Sequence, residues 1–230
     1  MCDDGSNDHT YRIAKGYADQ HPNIRLIRNQ SNRGLAYTLN HCLRYANGEY
    51  IARQDGDDRS RPDRFEKEVS ILNHFTEYDI VSTGMALFDE NGYWGEVLPD
   101  EKPEFRNFIR NSPFCHAPSM VRRESLLAVG GYQDHPKVLR VEDYDLWFRM
   151  YASGSRGYNI REPLYEVRDD RYAFNRRKYK YRLNESYVRF RGYKMLGLPL
   201  SVYIHGLRPL IVGLAPIWIY KYMRRKNYKT

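Results

Sequence analysis

The fold is decided by the stretch EYIARQDGDD at residues 49–58 and the triplet PDR at residues 62–64. Residues 49–53 are typical of a short strand, and an acidic turn follows Gln54. Pro62 opens a helix, because apolar side chains recur after it at helical spacing. A strand that passes through a turn into a helix predicts one unit of an α/β domain.

The same alternation of strands and helices extends on both sides of this stretch. Helices are predicted at residues 11–19, 35–45, 105–110 and 142–151, and strands at residues 23–28, 79–88 and 119–122. Alternation at such short intervals predicts an α/β fold with a largely parallel sheet, in which ligands bind at the carboxyl ends of strands. The acidic turn lies at such an end.

The acidic turn carries three carboxylates, on Asp55, Asp57 and Asp58. Carboxylates in a tight turn suit a hard divalent cation that needs oxygen ligands and keeps positions open for the phosphates of a ligand. The alternative is an acidic β-turn in which Gly56 supplies the backbone freedom. The motifs around the turn bear on this choice.

Motifs along residues 3 to about 168 resemble those of family 2 glycosyltransferases. NRG at 32–34, LN at 39–40, ANGEYI at 46–51, DGDD at 55–58 and PDR at 62–64 resemble the nucleotide-sugar-binding half of that family. DDGS at 3–6 resembles its acidic turn after the second strand, and HAPS at 116–119 with RR at 122–123 resembles its mid-chain motif. GGY at 130–132 with EDYDLW at 142–147 resembles its acceptor-side motif. The resemblance implies a GT-A fold, a Rossmann-like nucleotide-sugar-binding sheet flanked by helices.

The resemblance also implies an activity. The enzyme would transfer a sugar from a nucleoside-diphosphate sugar to a hydroxyl acceptor with inversion, in cell-envelope polysaccharide or glycolipid synthesis. By the family pattern Asp57 is the ligand of a Mg²⁺ or Mn²⁺ ion, and Asp55 contacts the ribose or assists the metal. Such an ion would neutralise the charge that gathers on the diphosphate leaving group.

The attacking hydroxyl must lose a proton, which requires a carboxylate base on the acceptor side. We expect this base to be Asp143, with Glu142 as the second catalytic candidate. Asp143 lies at a predicted helix N-terminus, where the helix dipole favours an ionised carboxylate. Helix capping is the alternative role for carboxylates at this position, and Asp145 is a weaker candidate for the base.

Four further residues are candidates for nucleotide-sugar binding. The resemblance implies that Asp3 or Asp4 holds the nucleobase. Arg33 lies where a basic residue approaches base or phosphate, and His116 would line the metal or diphosphate region. The alternative for His116 is a loop histidine with one ordinary hydrogen bond. The spacing of Trp147 predicts a core position rather than stacking on a sugar.

The chain begins at the acidic turn that follows a strand, a helix and a second strand in the family pattern. On the order of 30 residues of that pattern are therefore expected to be absent. The alternative to an active enzyme is a noncatalytic or truncated glycosyltransferase remnant that acts as a membrane-associated binding module.

The charge is divided unevenly along the chain. Residues 1–170, the predicted glycosyltransferase-type domain, hold 22 Lys or Arg and 28 Asp or Glu, whereas residues 171–230 hold 15 basic residues and one acid, Glu185. A cationic tail on an acidic body predicts contact with something anionic, either a phospholipid surface or nucleic acid; a solvated helix face is the alternative. Three cysteines without metal-ligand spacing indicate neither a disulfide scaffold nor a zinc site, and they favour a reducing, cytosolic environment.

The C-terminal helical region, residues 171–230, favours an anionic membrane surface as partner, and no nucleic acid is expected. A basic, tyrosine-rich helix is predicted at 172–194, followed by an apolar stretch at 196–220 and a basic cap at 221–226. The longest uncharged run, residues 209–220, has twelve residues, short of the roughly 20 that span a bilayer. We expect a peripheral or re-entrant anchor on the cytoplasmic face, with a spanning helix or a soluble core helix as alternatives. Membrane attachment suggests a saccharide or lipid-linked acceptor.

Overall fold

The computed structural model describes residues 1–169 and 178–215. The strands within these ranges are β1 (Cys2–Asp3), β2 (Ile27–Arg28), β3 (Tyr50–Ala52), β4 (Arg59–Ser60), β5 (Ile80–Asp89), β6 (Gly92–Val97), β7 (Met120–Arg122) and β8 (Gly157–Arg168). The α-helices are α1 (Thr10–Gln20), α2 (Leu35–Leu43), α3 (Arg64–His74), α4 (Asn107–Arg110), α5 (Arg123–Ala128), α6 (Glu142–Ala152), α7 (Tyr179–Met195) and α8 (Arg208–Leu214). Two 3-10 helices lie at Pro136–Val138 and Leu200–Leu207.

The described strands form two sheets. β1 and β2 pair in parallel, and the other six strands form a mixed sheet in the order β3-β7-β5-β8-β4, with β6 on β5. In the mixed sheet β5 and β8 run parallel, whereas the remaining pairs are antiparallel. The prediction of a largely parallel sheet is therefore wrong for the described strands. β7 lies between β3 and β5 and runs antiparallel to both. The order of the strands along the chain does not reveal this direction.

Several predicted elements are present with shifted ends. The helices predicted at residues 35–45 and 142–151 are confirmed as α2 and α6, and the strand at 79–88 as β5. The strand predicted at 23–28 shortens to β2, because only Ile27 and Arg28 pair with β1. The sequence pattern does not predict β8. Its pairing with β5 shifts register on both sides of the pair Gly84–Pro163.

The largest core cluster surrounds α6. Trp147 and Phe148 of this helix are fully buried, which confirms the core position predicted for Trp147. α7 packs directly on α6, because a Cβ at Gly192 would lie only 2.4 Å from the ring of Phe148. The ring of Phe148 also contacts Tyr193, with the centroids 6.0 Å apart. The start of α6, which holds the predicted base, is therefore anchored by a dense aromatic core.

Part of the basic charge of α7 is neutralised inside the chain. Arg191 forms a 2.6 Å ion pair with Asp145 of α6, whose side chain is 1% exposed. Arg189 is buried and forms a 3.0 Å ion pair with Glu185. Some of the positive charge predicted to meet an external anion thus has internal partners. The domain boundary at residue 170 stays a prediction.

The C-terminal 3-10 helix and α8 lie against α7 with one face and expose the other. An apolar stripe on the exposed face contains Leu200, Ile204, Leu207, Ile211 and Leu214, of which Leu200 is 83% and Leu214 75% exposed. None of the described helices is long and apolar enough to cross a membrane. Residues 170–177 and 216–230, which include part of the predicted basic helix, the end of the apolar stretch and the basic cap, lie outside the described residues.

Candidate active site

Asp4 holds the acidic turn at the start of the chain against the loop before α2. Its carboxylate accepts hydrogen bonds from the backbone N–H groups of Arg33 (2.8 Å) and Gly34 (2.9 Å) and from the Asn29 side chain (2.8 Å). Desolvation raises the pKa of Asp4, but these hydrogen bonds outweigh it and hold the pKa below its usual value. Asp4 therefore shapes the loop that carries Arg33, whose guanidinium lies 4.4 Å from the ring centroid of Tyr37.

Asp3 lies beside Asp4 with a different set of contacts. Its carboxylate is 3.0 Å from the Arg28 guanidinium, and its side chain is only 2% exposed. The Oδ1 atom is buried and has no hydrogen-bond partner among the described residues. An unsatisfied buried acceptor is costly, so this oxygen suits a donor group from a ligand. That Asp3 or Asp4 holds the nucleobase stays a prediction, and Asp3 has the free acceptor.

Arg53 directly follows β3 and pairs with Asp55, the first carboxylate of the acidic turn. The Arg53 guanidinium lies 2.8 Å from the Asp55 carboxylate. The backbone N–H of Asp55 donates to the hydroxyl of buried Tyr165 (2.9 Å), and buried Arg64 donates to the carbonyl of Arg53 (3.0 Å). The turn is therefore held from behind by β8 and α3.

The other two carboxylates of the turn differ in their freedom. Asp57 is exposed and has no hydrogen bond or ion pair to any described residue. Asp58 accepts a hydrogen bond from the backbone N–H of Arg168 (2.9 Å). Desolvation, together with the charges of Asp57 and Asp55, raises the pKa of Asp58. Asp57 is thus the carboxylate that is available to a ligand.

His116 belongs to a chain of hydrogen bonds that starts on α2. Its Nε2 lies 2.8 Å from the hydroxyl of Tyr132. Asn40 fixes the backbone of Tyr132 from both sides, because its side chain donates to the carbonyl (2.7 Å) and accepts from the N–H (2.9 Å). Desolvation and the positive charge of Arg53 lower the pKa of His116 well below its usual value. His116 is therefore a neutral hydrogen-bonding residue at physiological pH.

Asp143 lies at the start of α6 with an altered acidity. Desolvation raises its pKa to about 6, although the backbone N–H of Tyr144 opposes this shift. The charge of Glu142 raises the pKa further, and that of Arg53 lowers it. Desolvation is therefore the largest influence on this carboxylate, and the backbone N–H groups at the start of α6 favour its ionised form. A base with a pKa near neutrality accepts a proton more effectively than an ordinary Asp.

Asp145, two residues further along α6, uses both of its carboxylate oxygens in ion pairs within the fold. Its two oxygens form ion pairs with Arg149 (2.7 Å) and Arg191 (2.6 Å), and the side chain is 1% exposed. It has no oxygen left to receive a proton from a substrate. Glu142 is 6% exposed and acts on Asp143 through its charge.

Two cavities share Asp143 as part of their lining. One has a volume of about 1290 Å³ and extends from His116 and Asp143 to His205 and Arg208 in the C-terminal region. The other has a volume of about 470 Å³ and contains Arg140. Arg140 is the non-glycine residue with a left-handed backbone (φ 71°) among those described, directly before the first turn of α6. Asp143 is therefore reachable from two sides.

Comparisons with known proteins show the family to which the chain belongs. Residues 1–130 match the protein family described as "Glycosyl transferase family 2". The chain belongs to the family 2 glycosyltransferases. It is 43% identical over 228 residues to EpsE of Bacillus subtilis (strain 168), named as a glycosyltransferase, and this match covers 99% of the chain and 82% of EpsE. It is 30% identical to the amylovoran biosynthesis glycosyltransferase AmsE of Erwinia amylovora over 168 residues, which covers 72% of the chain and 62% of AmsE.

Solved structures of glycosyltransferases share the GT-A fold. TarS of S. aureus in complex with UDP superposes with a TM-score of 0.63 at 17% identity, covering 93% of this chain and 60% of TarS residues 1–349. The mannosyltransferase PcManGT of Pyrobaculum calidifontis, in complex with GDP-Man and Mn²⁺, gives 0.58 at 19% identity, covering 97% of this chain and 63% of PcManGT. At these identities the likeness shows the fold, and the chain spans less than two thirds of either structure.

Three residues of this family 2 site carry roles that the motifs do not assign. Arg53 acts on both the acidic turn and the base, and its position directly after β3 and two residues before Asp55 could have marked it. Asn40 and Tyr132 lie within recognised motifs, but only the fold shows that one orients the other. The structure brings Arg53 close enough to His116 and Asp143 for its positive charge to lower the pKa of both. The roles of all the predicted site residues stay predictions.

Proposed function

We propose that this family 2 glycosyltransferase transfers a sugar from a nucleoside-diphosphate sugar to a hydroxyl acceptor with inversion, in the synthesis of an envelope polysaccharide or glycolipid. The observation that carries the proposal is Asp143, a carboxylate with a pKa of about 6 that opens on two cavities and has no ion-pair partner within the described chain. The relative AmsE, named for amylovoran biosynthesis, supports a role in polysaccharide synthesis.

The proposed step is a single displacement. The acceptor oxygen forms a bond to the anomeric carbon while the bond from that carbon to the diphosphate oxygen breaks. The proton of the acceptor hydroxyl passes to the Asp143 carboxylate, and the electron pair of the broken bond leaves with the diphosphate. Arg53 forms an ion pair with Asp55, and its positive charge lowers the pKa of Asp143, so it favours the charged form of both carboxylates. Glu142 favours proton uptake by Asp143 through its own charge.

The residues of the acidic turn fit a Mg²⁺ or Mn²⁺ ion by their chemistry. Asp57 is exposed without a described partner, and the carboxylates of Asp55 and Asp57 repel that of Asp58. Such an ion takes one or two carboxylates together with substrate phosphates. In the described ranges no group of three or more His, Cys, Asp or Glu is placed to hold a metal alone. We assign Asp57 as the metal ligand, with Asp55 assisting; when bound, the ion would neutralise the charge of the leaving diphosphate.

We assign the nucleotide to the side of the turn that faces the N-terminal loop. Asp3 supplies an unpaired buried acceptor for a base N–H group. Asp4 holds the loop from which Arg33 approaches base or phosphate. His116, neutral and hydrogen-bonded to Tyr132, lines the larger cavity, and we assign it to the metal or diphosphate region.

Calorimetric titration with UDP, GDP and dTDP, with and without Mn²⁺, tests the donor half of this proposal. We expect one nucleotide to bind in a metal-dependent way to the wild type and to lose this dependence in Asp57→Ala. Glu77→Ala, which removes an exposed carboxylate outside the acidic turn, is the matched control and should bind like the wild type. Failure of all three nucleotides to bind folded protein would overturn donor binding and favour the noncatalytic remnant.

We propose in addition that the apolar stripe, residues Leu200, Ile204, Leu207, Ile211 and Leu214, rests on an anionic membrane surface at its cytoplasmic face. Exposed apolar side chains at intervals of three and four residues form one face, and basic residues accompany it on α8 and at the start of α7. The negative cytoplasmic leaflet attracts such basic segments.

Sedimentation with vesicles of phosphatidylcholine and phosphatidylglycerol tests the membrane proposal. We expect Ile204→Ser/Ile211→Ser to abolish co-sedimentation, whereas Ile13→Ser, a similarly exposed apolar residue on α1, should leave it intact. A stripe variant that still binds vesicles, or one that instead dissociates a dimer of this chain, would contradict the lipid surface as occupant. Salt-sensitive retention on single-stranded nucleic acid that survives the stripe variant would favour nucleic acid.

A further inference from the structure

The larger cavity joins the base to the C-terminal region. Asp143 and His116 lie at one part of its lining, and His205 and Arg208 lie at another. Arg208 begins α8 and His205 belongs to the preceding 3-10 helix. The segment that carries the apolar stripe therefore also forms a wall of the cavity in which Asp143 would act.

The lining of this cavity carries an excess of cations. Lys102, Arg110 and Arg208 have no carboxylate within ion-pair distance in the described part of the chain, and Asp100 and Asp143 are the acidic residues of the lining. Unpaired arginines at a cavity wall are strong ligands for phosphate, because the guanidinium presents several donors in a fixed plane. A sugar hydroxyl alone would not require this charge.

The fold holds Arg110 in place for such a role. Buried Arg189 of α7 donates hydrogen bonds to the backbone carbonyls of Ile109 (2.8 Å) and Arg110 (2.9 Å). Glu185 balances the charge of Arg189 (3.0 Å), so the backbone of α4 is fixed while the Arg110 side chain stays exposed. α4 also packs against the 3-10 helix Leu200–Leu207, which brings α4 next to the segment that leads into Arg208.

The cationic wall of the larger cavity, formed by Lys102, Arg110 and Arg208, adjoins the apolar stripe. Arg208 follows Leu207 directly and precedes Ile211 by three residues, and both apolar side chains are exposed, at 39% and 69%. A ligand with a phosphate group on Arg208 would thus find apolar surface on one side and the cavity that leads to Asp143 on the other.

We propose that Arg110 and Arg208, assisted by His205, bind the phosphate group of a lipid-linked acceptor, with its sugar hydroxyl directed to Asp143 and its hydrocarbon chain along the apolar stripe. This inference rests on the proposed transferase function and names the acceptor class for the same site. Arg189 is a positioning residue, since it acts through the backbone of α4.

Binding of farnesyl diphosphate, a short prenyl diphosphate, tests the inference in the full chain. Saturating UDP and Mn²⁺ are added first to block the donor site, and binding is measured by calorimetry. We expect Arg110→Ala/Arg208→Ala to weaken binding by at least about tenfold, as loss of charge-assisted hydrogen bonds predicts. Arg12→Ala/Arg161→Ala, which removes two exposed arginines elsewhere, should bind like the wild type.

Two further ligands separate the parts of the probe. Inorganic diphosphate should bind more weakly than farnesyl diphosphate and lose its binding in the same double variant, whereas farnesol should be insensitive to it. Ile211→Ser should weaken farnesyl diphosphate but leave inorganic diphosphate unchanged. Equal affinity of the wild type and Arg110→Ala/Arg208→Ala for farnesyl diphosphate, with both folded by circular dichroism, would overturn the inference.

The same titrations distinguish failure of this inference from failure of the proposed function. One outcome is metal-dependent binding of UDP, GDP or dTDP that requires Asp57, without arginine-dependent binding of farnesyl diphosphate. This outcome would overturn the proposed acceptor class and leave the proposed transferase function intact. Arginine-dependent binding of farnesyl diphosphate in a chain that binds none of the three nucleotides would sink the transferase and leave a lipid-phosphate site.

Discussion

Charged side chains are paired at the interface of α6 with α7, whereas several charged side chains in the wall of the larger cavity have no ion-pair partner among the described residues. At the interface Asp145 and Glu185 are each paired with two arginines. At the cavity, Asp143 is two residues away on the same helix and has no ion pair to a described residue, and neither do Arg110 and Arg208. The same helical turn therefore supplies one carboxylate to an ion-pair network and another to the lining of a cavity.

This difference teaches how neighbouring carboxylates acquire different roles. A carboxylate with both oxygens held by arginines has no free oxygen to receive a proton from a ligand. A carboxylate that is desolvated without an arginine partner has its pKa raised, as for Asp143. Burial without pairing is unfavourable for folding but useful for proton transfer. The predictions that follow test this contrast.

The largest expected effect is the loss of catalysis in Asp143→Asn. The amide keeps the shape but cannot accept a proton, so we expect kcat to fall by about 10²–10⁴-fold with the affinity for nucleotide unchanged. The measurement is the rate of sugar transfer from the donor identified by titration. Glu77→Gln is the control, and transfer by Asp143→Asn at the wild-type rate would remove Asp143 as the base.

The next largest effect concerns stability. Asp145→Ala leaves Arg149 and Arg191 facing each other without their carboxylate, so we expect a loss of about 3 kcal/mol in the free energy of unfolding, measured with urea. Asp19→Ala removes an exposed ion pair with Lys15 and should leave the urea midpoint unchanged within error. Similar effects of the two substitutions would show that the buried network contributes no more than a surface pair.

A smaller effect is the acid limb of the activity profile. The base must be deprotonated, and its pKa is about 6. We expect kcat/KM to fall below pH 6 and to reach about one tenth of its plateau at pH 5. The profile is measured at fixed ionic strength, with circular dichroism to confirm folding at each pH. An acid limb centred near pH 4 would indicate an ordinary carboxylate.

The smallest expected effect is a pH-dependent difference in the free energy of unfolding between Asp143→Asn and the wild type. The folded pKa of Asp143, about 6, lies above the ordinary Asp value of 3.8, so its contribution to stability is most favourable below the unfolded pKa and is lost as pH rises through 6. Asp143→Asn should therefore be more stable than the wild type at pH 7, with the difference closing towards pH 4. Urea unfolding at several pH values measures this. A constant difference across that range would rule out the raised pKa.

The extent of sequence prediction differs between the acidic turn and the sheet. The strand, turn and helix around Asp55 are local, so their pattern predicts them well, and α3 begins two residues after Pro62. The direction of β7 and the presence of β8 depend on pairings between distant segments. No local pattern encodes such pairings, which explains why the sheet is more antiparallel than predicted.

The candidate site shows the same division. Asp57 and Asp143 are found from motifs, because their chemistry depends on residue type and local position. The ion pair of Arg191 with Asp145 joins residues 46 positions apart, and the hydrogen bond from Asp55 to Tyr165 joins residues 110 apart. Charge counting along the sequence therefore assigned to an external partner some cations that the fold pairs internally.

The sequence by itself determined that the chain is an α/β protein of the family 2 glycosyltransferases, with carboxylates at a strand end and at a helix start. Only the tertiary structure decided which of those carboxylates are free. Arg191 lies within ion-pair distance of Asp145 because α7 packs on α6, whereas Arg53 and Arg149 pair with carboxylates two and four residues away along the chain. Pairing and desolvation depend on distance and burial in three dimensions, and these set the pKa of Asp143 and the free charge of the cavity wall.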